Sequence, residues 1–243
     1  MGVSVAISLV LFWTGFEVVK AEESVYSLPA LQTHPLPSSL VHWKDERNGG
    51  DYFNQIRSTP VGYLVWSEFP LKIYVQRPSN SRDGEASFDR FQQWVDAVLS
   101  AVDEWNEYLP LVEVEREELA DIVIKRSLPP LKAEINPETG LFDISPVRSG
   151  QTKYKIYLRS GSTPVLSHRM TVEISPTQSN DSIIATARHE LGHALGIWGH
   201  STEETDAMYL SGVRNPPPIS PRDINTLKKI YQQPTRLGWS LQN

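Results

Sequence analysis

Cysteine is absent from all 243 residues, which excludes both a disulfide framework and a thiolate metal site. Any metal must therefore be held by histidines, of which there are six, or by carboxylates. Dense runs of Lys and Arg are missing too, and the formal net charge is −6. Such a surface does not track phosphates, so nucleic acid is not an expected partner. No glycine-rich loop of the kind that cradles phosphate occurs, and no internal repeat or low-complexity tract. Apolar runs long enough to span a bilayer are lacking as well. The longest, "VSVAISLVLFWTGF" (Val3 to Phe16), has the length of a signal-peptide core, with "VVKA" offering a small-residue cleavage site at Ala21. The preceding "MG" carries no positive charge, so residues 1–21 are read as a signal peptide or a short membrane anchor. Export to the exterior or the cell envelope is the expectation, with no stable membrane span after signal cleavage.

With 40% hydrophobic residues, the chain can bury one substantial core. Residues 22–62 are polar and proline-bearing, without period of either kind, and read as a linker or pro-segment-like extension with no assigned structure. The folded domain is expected over 63–236, with 237–243 as a tail. "PLKIYVQ" (Pro70 to Gln76) alternates like a strand. A long helix follows, in which Phe88, Phe91, Val95, Val98, Leu99, Val102 and Trp105 recur at helical spacing, with Ser87 as candidate N-cap and Pro110 as stop. "ADIVIKRS", "TKYKIYLRS" and "HRMTVEIS" read as three more strands, the first two separated by a Pro- and Gly-rich excursion. Strand, long helix, strands and a second helix imply an α+β domain with a twisted mixed sheet backed by helices. Near the C-terminus, Ser220, Pro221 and Asp223 form the start signal of a short helix, with Ile224, Leu227, Ile230 and Tyr231 on one face.

The chemistry is concentrated in "RHELGHALGIWGHSTEETDAMY" (Arg188 to Tyr209). His189 and His193 are four apart on an expected helix capped near Asn180 to Ser182, so both imidazoles project from one face, as two ligands of one zinc require. Glu190 cannot point where both histidines do, but it can reach a water on the metal's open side and act as general base. A catalytic zinc needs a third protein ligand from elsewhere, and Gly196 suits the turn that would deliver it.

These residues resemble the metzincin metalloproteases, and among them the matrixins, over roughly Trp66 to Pro234. "HELGHALG", "HST", "AMY" and "DINTLKKIY" carry the likeness. The metzincin pattern H-E-x-x-H-x-x-G-x-x-H would put its third histidine at position 199, which is Gly199, and the histidine comes next, at His200. In matrixins a methionine follows the third zinc histidine by eight positions, and Met208 follows His200 by eight. One extra residue therefore falls within Ile197 to Gly199. His200 is read as the third ligand, with Asp206 or Glu203 as the fallback carboxylate.

The resemblance implies a metzincin-like α+β domain: a mixed sheet with a long backing helix, an active-site helix, a methionine turn at Met208 and a C-terminal helix. It implies a zinc-dependent endopeptidase acting on protein or peptide substrates, with one catalytic ion on His189, His193 and His200 and Glu190 as base. The rival reading is a zinc-stabilised binding or envelope protein that has lost turnover. Tyr209 is read as structural or as pocket wall. The cysteine that silences many zymogens of this family has no counterpart here. His34 and His42 are expected to be exposed. His168 stands near where matrixins keep a structural zinc ligand, but its partners are missing, so neither a structural zinc nor calcium is supported. In metzincins the strand beside the active-site helix pairs with extended substrate, and "HRMTVEIS" is one candidate. The sequence does not say which strand is the exposed edge, and it leaves the oligomeric state unknown.

Overall fold

The computed structural model describes residues 27–78, 85–130, 133–135, 142–144, 148–213 and 215–241. The signal-peptide or anchor reading of residues 1–21 lies outside them, as does much of the excursion between the second and third long strands. A five-stranded sheet forms the frame, in spatial order β2-β1-β3-β7-β6. Its strands are β1 (Leu71–Val75), β2 (Leu111–Glu113), β3 (Ile122–Arg126), β6 (Gly150–Arg159) and β7 (Val165–Ile174). A separate short hairpin joins β4 (Ala133–Ile135) to β5 (Phe142–Ile144). Strands β2, β1, β3 and β7 run parallel, and β6 lies antiparallel to β7 in a register from Gly150↔Ile174 to Arg159↔Val165. The sheet is thus mixed, as expected, with one strand more than the sequence reading found, because β2 is too short for alternation to register.

The arrangement settles which strand is the edge. β7, built on "HRMTVEIS", is interior and buries Leu166, His168, Met170, Val172 and Ile174 in alternation. It is paired on both sides, so it cannot accept an added strand. Among the described residues β6 ends the sheet, with no strand paired on its outer side.

Two long helices back the sheet. α2 (Glu85–Asn106) buries Trp94, Val95, Ala97, Val98, Ala101, Val102 and Trp105, a stripe that a 3.6-residue period produces. Ser87 lies within its first turn and does not cap it. Phe88, at the start of the expected stripe, is 39% exposed. α3 (Asn180–Ala194) packs against α2, with the Trp105 indole donating to the Arg188 carbonyl at 2.8 Å. Its cap is Ser179, one residue before the expected range, whose side chain accepts from the Ser182 N–H. The C-terminal end of α3 is finished by distant residues. Trp66 Nε1 donates to Ala194 O at 3.0 Å and the Tyr231 hydroxyl to Leu195 O at 3.0 Å, satisfying carbonyls that a helix end leaves open. α4 (Pro221–Tyr231) has the anticipated capping box between Ser220 and Asp223 with Pro221 at N1.

Residues 22–62, read from sequence as an extension without assigned structure, are largely packed in their described part. After a short helix α1 (Ser38–His42), the segment places Leu40, Tyr52, Ile56 and Val61 in the same core as the sheet and helices. Gln32 exchanges backbone hydrogen bonds with Thr235 at 3.0 and 2.9 Å. Each apolar residue meets a partner far along the chain, so no local period marks the segment. His34 is half-buried: it stacks on Trp239 with centroids 4.2 Å apart and bonds through Nε2 to Leu237 O at 2.8 Å. His42 is exposed, as expected. The described C-terminal residues also pack, with Leu237 and Leu241 buried and the Leu241 N–H on Pro164 O at 3.0 Å. No helix among the described residues is long and apolar enough to cross a membrane.

Candidate metal centre

Helix α3 carries His189 and His193 one turn apart, and Gly196 then reverses the chain with φ 124°, a conformation that side chains with a Cβ resist. A Cβ there would also stand 2.7 Å from Leu64 O. The reversal returns the chain so that His200 faces the helix. The candidate ligand atoms of His189, His193 and His200 lie within 4.8 Å of one another, a spacing that suits one shared ion.

Backbone carbonyls fix two of the three rings. His189 Nδ1 donates to Ala207 O at 2.9 Å and His193 Nδ1 to Ile197 O at 2.7 Å. A carbonyl only accepts, so the proton sits on Nδ1 and each Nε2 keeps its lone pair. Charge favours the same state. Burial, with the neighbouring His189 and His200, holds His193 well below the usual histidine range. Burial first, then His189 and Arg57, brings His200 down to about 4. Three clustered imidazoles in a cysteine-free chain form a donor set that fits zinc.

Glu190 is 8% exposed, beside the triad. Its Oε2 accepts from the Thr152 hydroxyl at 2.6 Å, and the same hydroxyl reaches the Glu190 carbonyl at 3.0 Å. Burial pushes the Glu190 carboxyl up, while His189, the Thr152 hydrogen bond and Arg148 pull it down. Thr152 stands on the edge strand β6, so one residue connects the carboxylate to the open ladder. Nothing in a strand's alternation distinguishes such a threonine, and the sequence reading passed over it.

Met208 is fully buried beneath the helix. A Cβ at Gly192 would stand 2.2 Å from Met208 Sδ, so the thioether occupies the space that a larger residue in the motif would need. Asp223 holds this turn from below. Besides capping α4, it accepts from Ala207 N at 2.9 Å and from Tyr52 OH at 2.6 Å. Its place in the capping box is legible in sequence, whereas its second task is not.

The fallback carboxylates stand elsewhere. Asp206 is fully buried with its oxygens engaged by Ser201, Ser220 and Arg222, and Glu203 is exposed. Neither joins the histidine group. Tyr209 is half-buried, its N–H on Asp206 O at 3.1 Å. His168 lies in the core with its ring stacked on Trp66, centroids 3.7 Å apart, and burial lowers it to about 3.

The turn Ile197–Gly199 joins the end of the helix to His200. Trp198 sets its indole edge-on to both His193 and Tyr154, at 5.9 and 5.2 Å between centroids. It thereby fills the space between the triad and β6.

The matrixin family model, of peptidase family M10, matches residues 73–232. A search of curated proteins finds no match. The match spans well over half of the chain and includes the active-site helix, the methionine turn and α4, so the chain belongs to the matrixin family. Membership implies zinc and, in general, metalloendopeptidase activity on protein or peptide substrates.

Proposed function

We propose that this matrixin-family chain is a zinc endopeptidase in which His189, His193 and His200 hold one ion and Glu190 serves as general base and acid. The observation that carries the reading is the set of three clustered imidazoles beside a buried, hydrogen-bonded glutamate. A site built only to hold a structural metal has no use for that carboxylate and ordinarily closes its coordination sphere.

Zinc at such a site supplies Lewis acidity, activating water and polarising the scissile carbonyl. The protein does the rest. Glu190 takes the proton of the attacking water and later returns it to the leaving amine, and burial suits it to both tasks by raising its proton affinity. Thr152 holds Oε2 of the carboxylate, and Oε1 lies over Gly150 of the same strand. Met208 supports the histidines from beneath. The open ladder of β6 offers backbone hydrogen bonds to an extended substrate, so main-chain recognition with modest sequence preference is expected. Secretion or location in the envelope accords with the family and with the apolar run at Val3 to Phe16.

The test is cleavage of a diverse peptide library by the zinc-loaded chain beside Glu190→Ala. Hydrolysis is expected to fall by about 10²–10⁴-fold in the variant with zinc retained. Zinc binding without cleavage by either protein would leave the binding-protein reading in its place.

A further inference from the structure

Residues 51–57 lie outside the stretch that matches the family model, residues 73–232, yet they touch the supports of all three histidines. The Arg57 N–H donates to Trp198 O at 3.1 Å. That carbonyl stands between Ile197, which orients His193, and His200. A Cβ on Gly199 would come within 2.4 Å of Gln55 O and 3.1 Å of Ile56 Cα, so the inserted turn is pressed against this backbone. At the other end the Tyr52 hydroxyl donates to Asp223 Oδ1 at 2.6 Å. Asp223 Oδ2 in turn accepts from Ala207 N at 2.9 Å, and Ala207 O accepts from His189 Nδ1 at 2.9 Å.

The segment is itself anchored. Tyr52 is 2% exposed, its N–H reaches Thr226 Oγ1 at 3.0 Å, and Asp51 pairs with Lys229 at 2.6 Å. We propose that residues 51–57 are a built-in brace of the metal centre that sets the position of the His200 loop, so the N-terminal segment is part of the catalytic unit and not a removable inhibitory pro-segment. A turn one residue longer than the family pattern has more ways to close, and an outside contact selects one of them. The hydrogen bonds and ion pair that residues 51–57 make outside themselves go to the loop backbone and to α4, to groups that hold the histidines and not to the imidazoles. This rests on the reading of the three histidines as zinc ligands.

Zinc affinity of the full chain, measured by chelator competition, tests the brace in Tyr52→Phe, Arg57→Pro and Arg57→Ala, with melting of the zinc-free proteins and peptide hydrolysis alongside. Arg57→Pro removes the N–H donor together with an exposed side chain whose charge bears on His200, and Arg57→Ala removes the same charge while keeping the N–H. Ile56 before it already has φ −87° and ψ 130°, the extended geometry that precedes proline. Tyr52→Phe keeps the buried ring, so it remains folded even if the proline variant does not. Zinc affinity is expected to fall tenfold or more in Tyr52→Phe relative to the parent and in Arg57→Pro relative to Arg57→Ala, with hydrolysis falling too and the zinc-free proteins still melting as folded chains. Affinities within twofold in both comparisons would overturn the brace, and so would a rise in hydrolysis, the signature of a loosened inhibitor. A parent chain that binds no zinc would overturn the ligand reading itself, and the brace with it.

Discussion

Helix α3 and the loop that follows it each deliver part of one site by opposite means. The helix sets His189, Glu190 and His193 by its own 3.6-residue period, with Ser179 closing its start. Among its described residues, the loop from Gly196 to Ser220 has almost no regular structure of its own beyond the bridge between Ser201 and Tyr209. It takes its shape from residues far along the chain: Gln55 and Arg57 against the turn Ile197–Gly199, Tyr52 through Asp223, and the buried Asp206 gathering Ser201, Ser220 and Arg222. Local geometry survives the loss of single contacts, whereas borrowed geometry depends on each lender. The difference teaches where the site is most easily broken.

The sharpest way to probe that contrast is Asp206→Ala. It leaves a half-buried Arg222 without its carboxylate and two hydroxyls without their acceptor, and a loss of about 2–4 kcal/mol is expected from the broken hydrogen bonds. Chemical denaturation should report it, and zinc affinity should fall with it while far-UV helix signal persists in the folded fraction. Retained zinc affinity and stability would mean that the loop holds its own shape.

A second probe addresses the end of α3, the one place where the helix also borrows. Trp66, which satisfies Ala194 O, packs on His168, whose pKa is about 3 in the fold against an ordinary 6.5. The unfolded chain therefore binds a proton that the folded chain refuses between those values. The contribution is complete above about pH 6.5 and is lost as pH falls toward 3, by about 2 kcal/mol at pH 5. His168→Phe should flatten this acid limb in melts taken from pH 7 to 5. An unchanged limb would place the acid sensitivity elsewhere.

The smallest effect belongs to the local side of the comparison. Ser179→Ala should cost only about 1 kcal/mol of stability, and zinc affinity should stay near that of the parent because the helix keeps its period ten residues on. A large loss of zinc from this change would show that the helix is no more self-sufficient than the loop.

Much of α3 could be read directly, because its histidine spacing, cap region and terminating glycine are all short-range signals. α2 and α4 were legible for the same reason, although Ser87 proved to lie inside the first turn of α2 and Ser179 to stand just ahead of the expected cap. The three-residue strand β2 was invisible, since an alternation of three has no statistical weight. Thr152 and Tyr52 carried no signal, being ordinary residues whose importance comes from what they face.

By itself, then, the sequence determined the residue types of a cysteine-free histidine site, the helical offset that aligns two of those histidines, and the register from His200 to Met208. All of these are fixed by covalent order and the period of one helix. It took the packed fold to place β6 at the edge and β7 inside the described sheet, to set Asp206 under the loop while His200 joins the other two histidines, and to bring residues 51–57 against the turn Ile197–Gly199. Each of these depends on contacts between segments far apart in the chain, which no local period encodes.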